Sequence, residues 1–125
     1  MIHLKRVYES AAEKDGVRYF VERLWPRGIK KEALRLDAWA KEAAPSTGLR
    51  RWFHHDPEKW DEFRCKYYGE LSANPASREP ILADARRGTV TLLYSSHDRE
   101  HNNAIVLKQY LEEKLEKKPS TRPAA

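Results

Sequence analysis

Thr89-Val90-Thr91-Leu92-Leu93-Tyr94 is the stretch on which the fold turns. Six β-branched, apolar or aromatic residues in a row carry no alternation of polar and apolar side chains, the pattern of a strand covered on both faces. A helical pattern precedes it, about Arg78–Arg87, with Ile81, Leu82 and Ala85 on one side and Gly88 as its stop. Another follows, beginning near Asp98–Asn102 and running to about Lys117. Its inner face is Ala104, Leu107, Leu111 and Leu115, with Ile105 and Val106 beside them. A buried strand between two helices is the central strand of a parallel sheet. The expected fold is therefore α/β: a small, mainly parallel sheet covered by helices, in a single layered domain.

Reading outward, Val17–Leu24 is a second strand, which the Trp25-Pro26-Arg27-Gly28 loop ends, since proline cannot donate to a ladder. His3–Tyr8 alternates weakly and reads as a first strand. Between the two, Ser10 is placed to cap one helical turn and Gly16 to end it. The connector is short for a crossover between adjacent parallel strands, so it does not define how the first strand pairs. Lys30–Ala44 has helical spacing, with Asp37 a possible cap for a short helix starting there and Pro45 closing the segment. Leu49–His55 is short and mixed. Asp56-Pro57 is a helix start, Asp at the N-cap and Pro at the first helical position. Trp60, Phe63, Tyr67 and Leu71 then recur as an inward stripe, with Cys65 expected half-buried in the same helix. Residues 1–117 make one domain; residues 118–125, polar and rich in proline, read as a loose tail.

The chain has 125 residues, a net charge of +5 and one cysteine. It holds one modest core and no disulfide framework. No apolar run approaches the roughly 20 residues that cross a bilayer, and the amino terminus has no apolar leader segment. The expected setting is cytoplasmic, without a membrane partner. Met1–Lys31 carries eight Lys/Arg against four Asp/Glu, whereas the remaining residues carry sixteen against fifteen. The excess charge thus lies around Arg23-Leu24-Trp25-Pro26-Arg27-Gly28. That favours an acidic ligand, although lysines that merely keep a small protein soluble leave the same trace.

Several words then occur in order: Arg23–Gly28, Asp37-Ala38-Trp39-Ala40-Lys41, Ala44-Pro45-Ser46, Leu49-Arg50, Trp52-Phe53 and His55-Asp56-Pro57. Trp60, Phe63, Tyr67, Leu92-Leu93-Tyr94-Ser95, Asp98, His101-Asn102, Ala104 and Val106-Leu107 complete the series. Over about Leu4 to Leu115 the chain resembles the YeaO-like family, domain of unknown function 488. The resemblance implies an α/β fold with a small, mainly parallel sheet, and no reaction. Two departures stand out: Glu22 in place of aspartate before Arg-Leu-Trp, and Ser96-His97 in place of Ala-Lys.

Ligands of open α/β sheets bind beyond the carboxyl ends of the strands. If Val17–Leu24 and Thr89–Tyr94 are parallel neighbours, Arg23, Trp25 and Arg27 face Ser95, Ser96 and Asp98 across a crevice where the last helix begins. Arg23 and Arg27 are candidate anion clamps, since guanidinium forks match phosphate and carboxylate. Trp25 is a candidate wall, and Asp98 and Asn102 are positioning groups. Lys41, Arg50 and Ser95 are further ligand candidates; His55, His101 and Asp98 are the catalytic candidates. The competing reading makes Arg23 a structural ion pair with Glu22 or Asp98, and Asp98 a helix cap. A nucleophilic Ser95 or Ser96 needs an oriented base, and no Gly-x-Ser-x-Gly elbow is present. His97-Asp98-Arg99-Glu100-His101 fits the inverted zinc-protease spacing but spans a loop and a helix start, where that chemistry does not assemble. The expectation is therefore no metal and no cofactor, with an anionic small molecule, phosphate or nucleotide, as the partner and enzyme status open. The alternative is a nucleic-acid-binding or regulatory module, with Lys5, Arg6, Lys14, Arg18, Lys30 and Lys31 tracking phosphates and Trp25 or Trp52 stacking a base.

Overall fold

A computed structural model describes residues 1–116. The tail expected at 118–125 lies outside them. Four strands form one sheet: β1 (Ile2–Arg6), β2 (Val17–Phe20), β3 (Ala38–Trp39) and β4 (Val90–Tyr94), in the order β1-β4-β2-β3. Every neighbouring pair is parallel, with Leu92 level with both Leu4 and Tyr19. β4 is central and buried at all five positions, as its composition requires. β1 and β2 are not neighbours; each lies against β4, which is how a connector too short for a crossover between adjacent strands is accommodated.

Alternation along the strands divides the core in two. Val90, Leu92 and Tyr94 of β4, with Ile2 and Tyr19, face the helices α2 (Thr47–Phe53), α3 (Trp60–Ala73), α4 (Pro75–Arg87) and α5 (Asn103–Glu116). Phe63, Tyr67 and Leu71 of α3 and Leu107 and Leu111 of α5 complete that cluster. On the other face Leu93 and Phe20 pack with Val7 and Leu34 under the rings of Trp25 and Trp39. Only a one-turn helix, α1 (Lys31–Leu34), and the loop around it cover this side.

Several local expectations are corrected. The single helix over Lys30–Ala44 is instead α1, β3 and a 3-10 turn at Lys41–Ala43. Arg18 causes the break: its guanidinium donates to the carbonyls of Leu34 and Arg35, and Arg35 turns left-handed at φ 53°. Asp37 caps no helix, because its carboxylate accepts the Arg18 backbone N–H at 2.8 Å. β2 ends at Phe20 rather than Leu24: the Val21 N–H still donates to the Leu93 carbonyl, but from there side chains replace the ladder, Asn103 donating to the Val21 carbonyl and Glu22 turning to Ser95. Ser10 caps nothing; the 3-10 turn Glu13–Asp15 is closed by Asp15, whose carboxylate returns to the Ala12 N–H. The mixed Leu49–His55 segment is largely α2, capped by the Ser46 hydroxyl. α4 starts three residues early, at Pro75. Cys65 is exposed, because two residues from Phe63 and from Tyr67 puts it on the far side of α3.

Candidate functional site

With all strands parallel, the segments after β1, β2 and β4 leave the sheet on the same side. There Tyr8, the run Glu22–Arg27, Ala44-Pro45 and the run Ser95–Asn103, except Arg99 and Glu100, wall a cleft of about 610 Å³. Arg50 and Phe53 of α2, His55 after it, and Phe63 of α3 close the remaining side. Arg23, Trp25, Arg27, Arg50, His55, Ser95, Asp98, His101 and Asn102 thus share one concavity. Lys41 does not: its ammonium sits 4.2 Å from the centroid of Trp39 and lines a separate groove beside α4. That contact takes it away from the crevice.

The acids of the cleft have internal donors. Glu22 accepts from the Ser95 backbone N–H at 2.7 Å and from its hydroxyl at 2.6 Å, tying the end of β2 to the end of β4. The longer glutamate side chain makes this bridge. Asp98 accepts the N–H groups of Glu100 and His101 at 2.9 Å each and lies 3.1 Å from His101 Nδ1. The Glu100 N–H, then the His101 N–H and ring, outweigh the cost of partial burial and hold its carboxyl below the usual carboxylate range. Asp98 is therefore the cap of the turn leading into α5. Asn102, 3% exposed, caps α5 itself: its amide oxygen accepts from Ile105 N–H and its amide nitrogen donates to the Asp98 carbonyl.

The serines lack a histidine base. The Ser95 hydroxyl donates to Glu22, and the Ser96 hydroxyl accepts from the Asp98 N–H. His97 Nδ1 lies 3.4 Å from Arg6, whereas His101 leans on Asp98 and edge-on to Trp60. The two histidines of the zinc-protease-like spacing therefore have separate surroundings. Among the described residues, no three His, Cys, Asp or Glu side chains gather as a metal site.

The cations divide. Arg23 is half-committed: it donates to the carbonyls of Pro45 and Ala44, with Glu42 at 3.7 Å, not to Glu22 or Asp98. Arg27 and Arg50 are exposed on the cleft wall, and neither guanidinium has a side-chain or carbonyl partner among the described residues. His54 and His55 are both left-handed, at φ 46° and 55°. Such backbone costs energy for a residue with a Cβ; the turn it makes puts His55 on the cleft and leaves His54 off it. Trp25 is a fixed wall, donating to the Ile29 carbonyl at 2.7 Å and packing edge-on against Phe20 and Trp39.

Of the six cations expected to track phosphates, Lys5, Arg6 and Arg18 are engaged, whereas Lys14, Lys30 and Lys31 are exposed. Lys5 and Arg18 bind Asp15, and Arg6 donates to the carbonyls of Ser95 and Ser96. Sequence reasoning missed Tyr8 and Leu24 as cleft residues. Their large exposed apolar surface exists only once the loops are placed, and composition holds no sign of it.

A family model described as "Inactive DUF488-N3 subclade" matches residues 1–125. The chain belongs to the DUF488 family. It is 44% identical to the uncharacterized protein YeaO of Escherichia coli K12 over 110 residues, 88% of this chain and 96% of that one. This DUF488 chain is also 40% identical over 110 residues to the uncharacterized proteins Mb3100c of Mycobacterium bovis and Rv3073c of Mycobacterium tuberculosis, covering 88% of it and 92% of each. No solved structure gives a significant match. No helix among the described residues is long and apolar enough to cross a membrane.

Proposed function

We propose that this DUF488 protein binds a small phosphate-bearing or similar anion in the cleft beyond the strand ends. One observation carries the reading. The cleft's carboxylates, Glu22 and Asp98, are engaged by internal donors, while two of its guanidiniums, Arg27 and Arg50, have no internal partner. The acids keep their charge but have their acceptor positions occupied, and three guanidiniums, Arg23, Arg27 and Arg50, against two carboxylates leave the concavity cationic, which favours negative charge. The opening of α5, beside His101 and Asn103, adds the positive end of a helix dipole to the same wall.

The reading is of binding rather than turnover. The family description as inactive supports this, as do serine hydroxyls without a histidine partner: Ser95 donates to the Glu22 carboxylate and Ser96 accepts a backbone N–H. His101, held by Asp98, remains the best-placed proton carrier if turnover is found. The nucleic-acid alternative has less support, because three of its six phosphate-tracking cations, Lys5, Arg6 and Arg18, have internal partners and the Trp25 ring is packed.

Calorimetric titration with inorganic phosphate at low salt tests the proposal. The wild-type chain is expected to bind. Arg27→Ala and Arg50→Ala are each expected to weaken binding about tenfold, corresponding to about 1.4 kcal/mol. Arg51→Ala, whose side chain does not line the cleft, is the control. Absence of binding, or equal losses in all three variants, refutes the reading.

A further inference from the structure

We propose that the cleft's ligand carries a flat aromatic ring beside its phosphate, as a free mononucleotide does, with Tyr8 as the stacking platform. The inference rests on the anion reading above and names the other half of the ligand. Among the described residues, three large apolar side chains are more than half exposed: Met1, Tyr8 at 52% and Leu24 at 61%. Two of the three line this one cleft. Exposed apolar surface concentrated at a cationic concavity marks a ligand with an apolar part.

Tyr8 is built as a platform. The Arg6 guanidinium lies 5.0 Å from its ring centroid and backs one side of the ring. Arg6 is itself pinned, donating to the Ser96 carbonyl at 2.8 Å and to the Ser95 carbonyl at 3.2 Å, so it supports the ring and is not a free anion clamp. The phenolic hydroxyl reaches the Arg27 carbonyl at 3.4 Å, which sets the ring beside the turn that carries an open guanidinium. A planar base stacks on a flat, half-exposed aromatic ring, while the phosphate it carries meets Arg27 and Arg50. Inorganic phosphate would leave Tyr8 and Leu24 in water. An alkyl phosphate would cover them but gain as much from a leucine at position 8 as from the ring. The cleft's volume, about 610 Å³, lies in the range of small-ligand sites.

The test is calorimetry on the full chain with inorganic phosphate, adenosine 5′-monophosphate, butyl phosphate and a single-stranded oligonucleotide. The mononucleotide is expected to bind at least tenfold tighter than phosphate or butyl phosphate. Tyr8→Ala and Tyr8→Leu should both reduce it to the level of phosphate and Tyr8→Phe should retain the gain, with thermal unfolding of each variant reporting that it is folded. A mononucleotide no tighter than phosphate, or a gain that survives Tyr8→Leu, overturns the ring assignment and leaves the anion reading standing. An oligonucleotide that binds tenfold tighter than the mononucleotide overturns the free-nucleotide assignment. Failure of both phosphate and the mononucleotide to bind removes the ring proposal and the anion reading together.

Discussion

The two ends of β2 carry charge in opposite ways. At the amino end, Asp15 and Arg18 are each 5% exposed and lie 2.6 Å apart, with Lys5 completing the group at 3.0 Å. The rest of the Arg18 fork is closed by the Leu34 and Arg35 carbonyls, and Thr91 donates to the Asp15 carbonyl. Nothing there is open to a ligand. At the carboxyl end the acids are closed off by backbone N–H and hydroxyl donors rather than by Lys or Arg, and Arg27 and Arg50 face the cleft with no internal partner. A paired, desolvated cluster holds the sheet to its covering loop; an unpaired cation on a concave wall is available for recognition. Both ends carry basic residues in sequence, Lys14 and Arg18 at one and Arg23 and Arg27 at the other, so basic content alone does not separate scaffold from site.

The largest effect that sharpens this contrast is expected at Gly16, which enters β2 at φ 66°. A Cβ there would stand 2.1 Å from the Thr89 carbonyl oxygen, a backbone atom that cannot yield. Gly16→Ala should destabilise the chain by about 4 kcal/mol or more, read from urea unfolding. Next comes Asp15→Asn, which leaves Arg18 buried without a counter-charge and should cost about 3 kcal/mol. A loss under about 1 kcal/mol would break the contrast, since the amino end would then be no more committed than the cleft.

Asp15 also sets an acid limit. Burial raises its carboxyl pKa, but the Ala12 N–H, Lys5 and Arg18 outweigh burial and the net shift is downward. A carboxyl with a folded value below its unfolded one contributes stability in full above about pH 4 and loses it as pH falls through the lower folded value. Wild-type unfolding free energy should therefore fall more steeply below pH 4 than that of Asp15→Asn. Parallel curves would refute the assignment.

Smaller still is Gly28→Ala in the loop of the cleft. Gly28 is also left-handed, at φ 75°, but a Cβ meets nothing within 4 Å. The cost should be only about 1 kcal/mol of backbone strain. Smallest is the effect of Arg27→Ala and Arg50→Ala on stability, within about 0.5 kcal/mol for exposed side chains without partners. If either variant melts like Asp15→Asn, the two ends of β2 are alike and the cleft loses its distinction.

Much of the architecture was legible because it depends on local composition. Thr89–Tyr94 could only be a strand covered on both faces, and Phe63, Tyr67 and Leu71 could only be an inward helical stripe. The region Lys30–Ala44 misled because its helical spacing is genuine, yet a side chain from β2 competes for its carbonyls. Arg18, 16 residues away from Leu34, converts one expected helix into α1 and β3. Strand β3 is two residues long, too short for any alternation to register. Of the residues that line the cleft, Arg27 and Asp98 were legible in the sequence from residue type and loop position, and Arg50 as an extension of the basic surface. Tyr8 and Leu24 were not, because exposure is a property of the assembled loops.

By itself the sequence determined that this chain builds a parallel sheet around one apolar strand, and that its cations gather near the Arg23–Gly28 loop. Both follow from side-chain chemistry repeated at short range. Tertiary structure alone decided which of those cations are available. Arg18 and Arg27 have the same side chain, but one is folded against Asp15 and two carbonyls and the other is left facing the cleft. Asp15 is only three residues from Arg18, but the Leu34 and Arg35 carbonyls that close the rest of its fork are 16 and 17 residues away, and they are brought to it only when the covering loop folds back over the sheet.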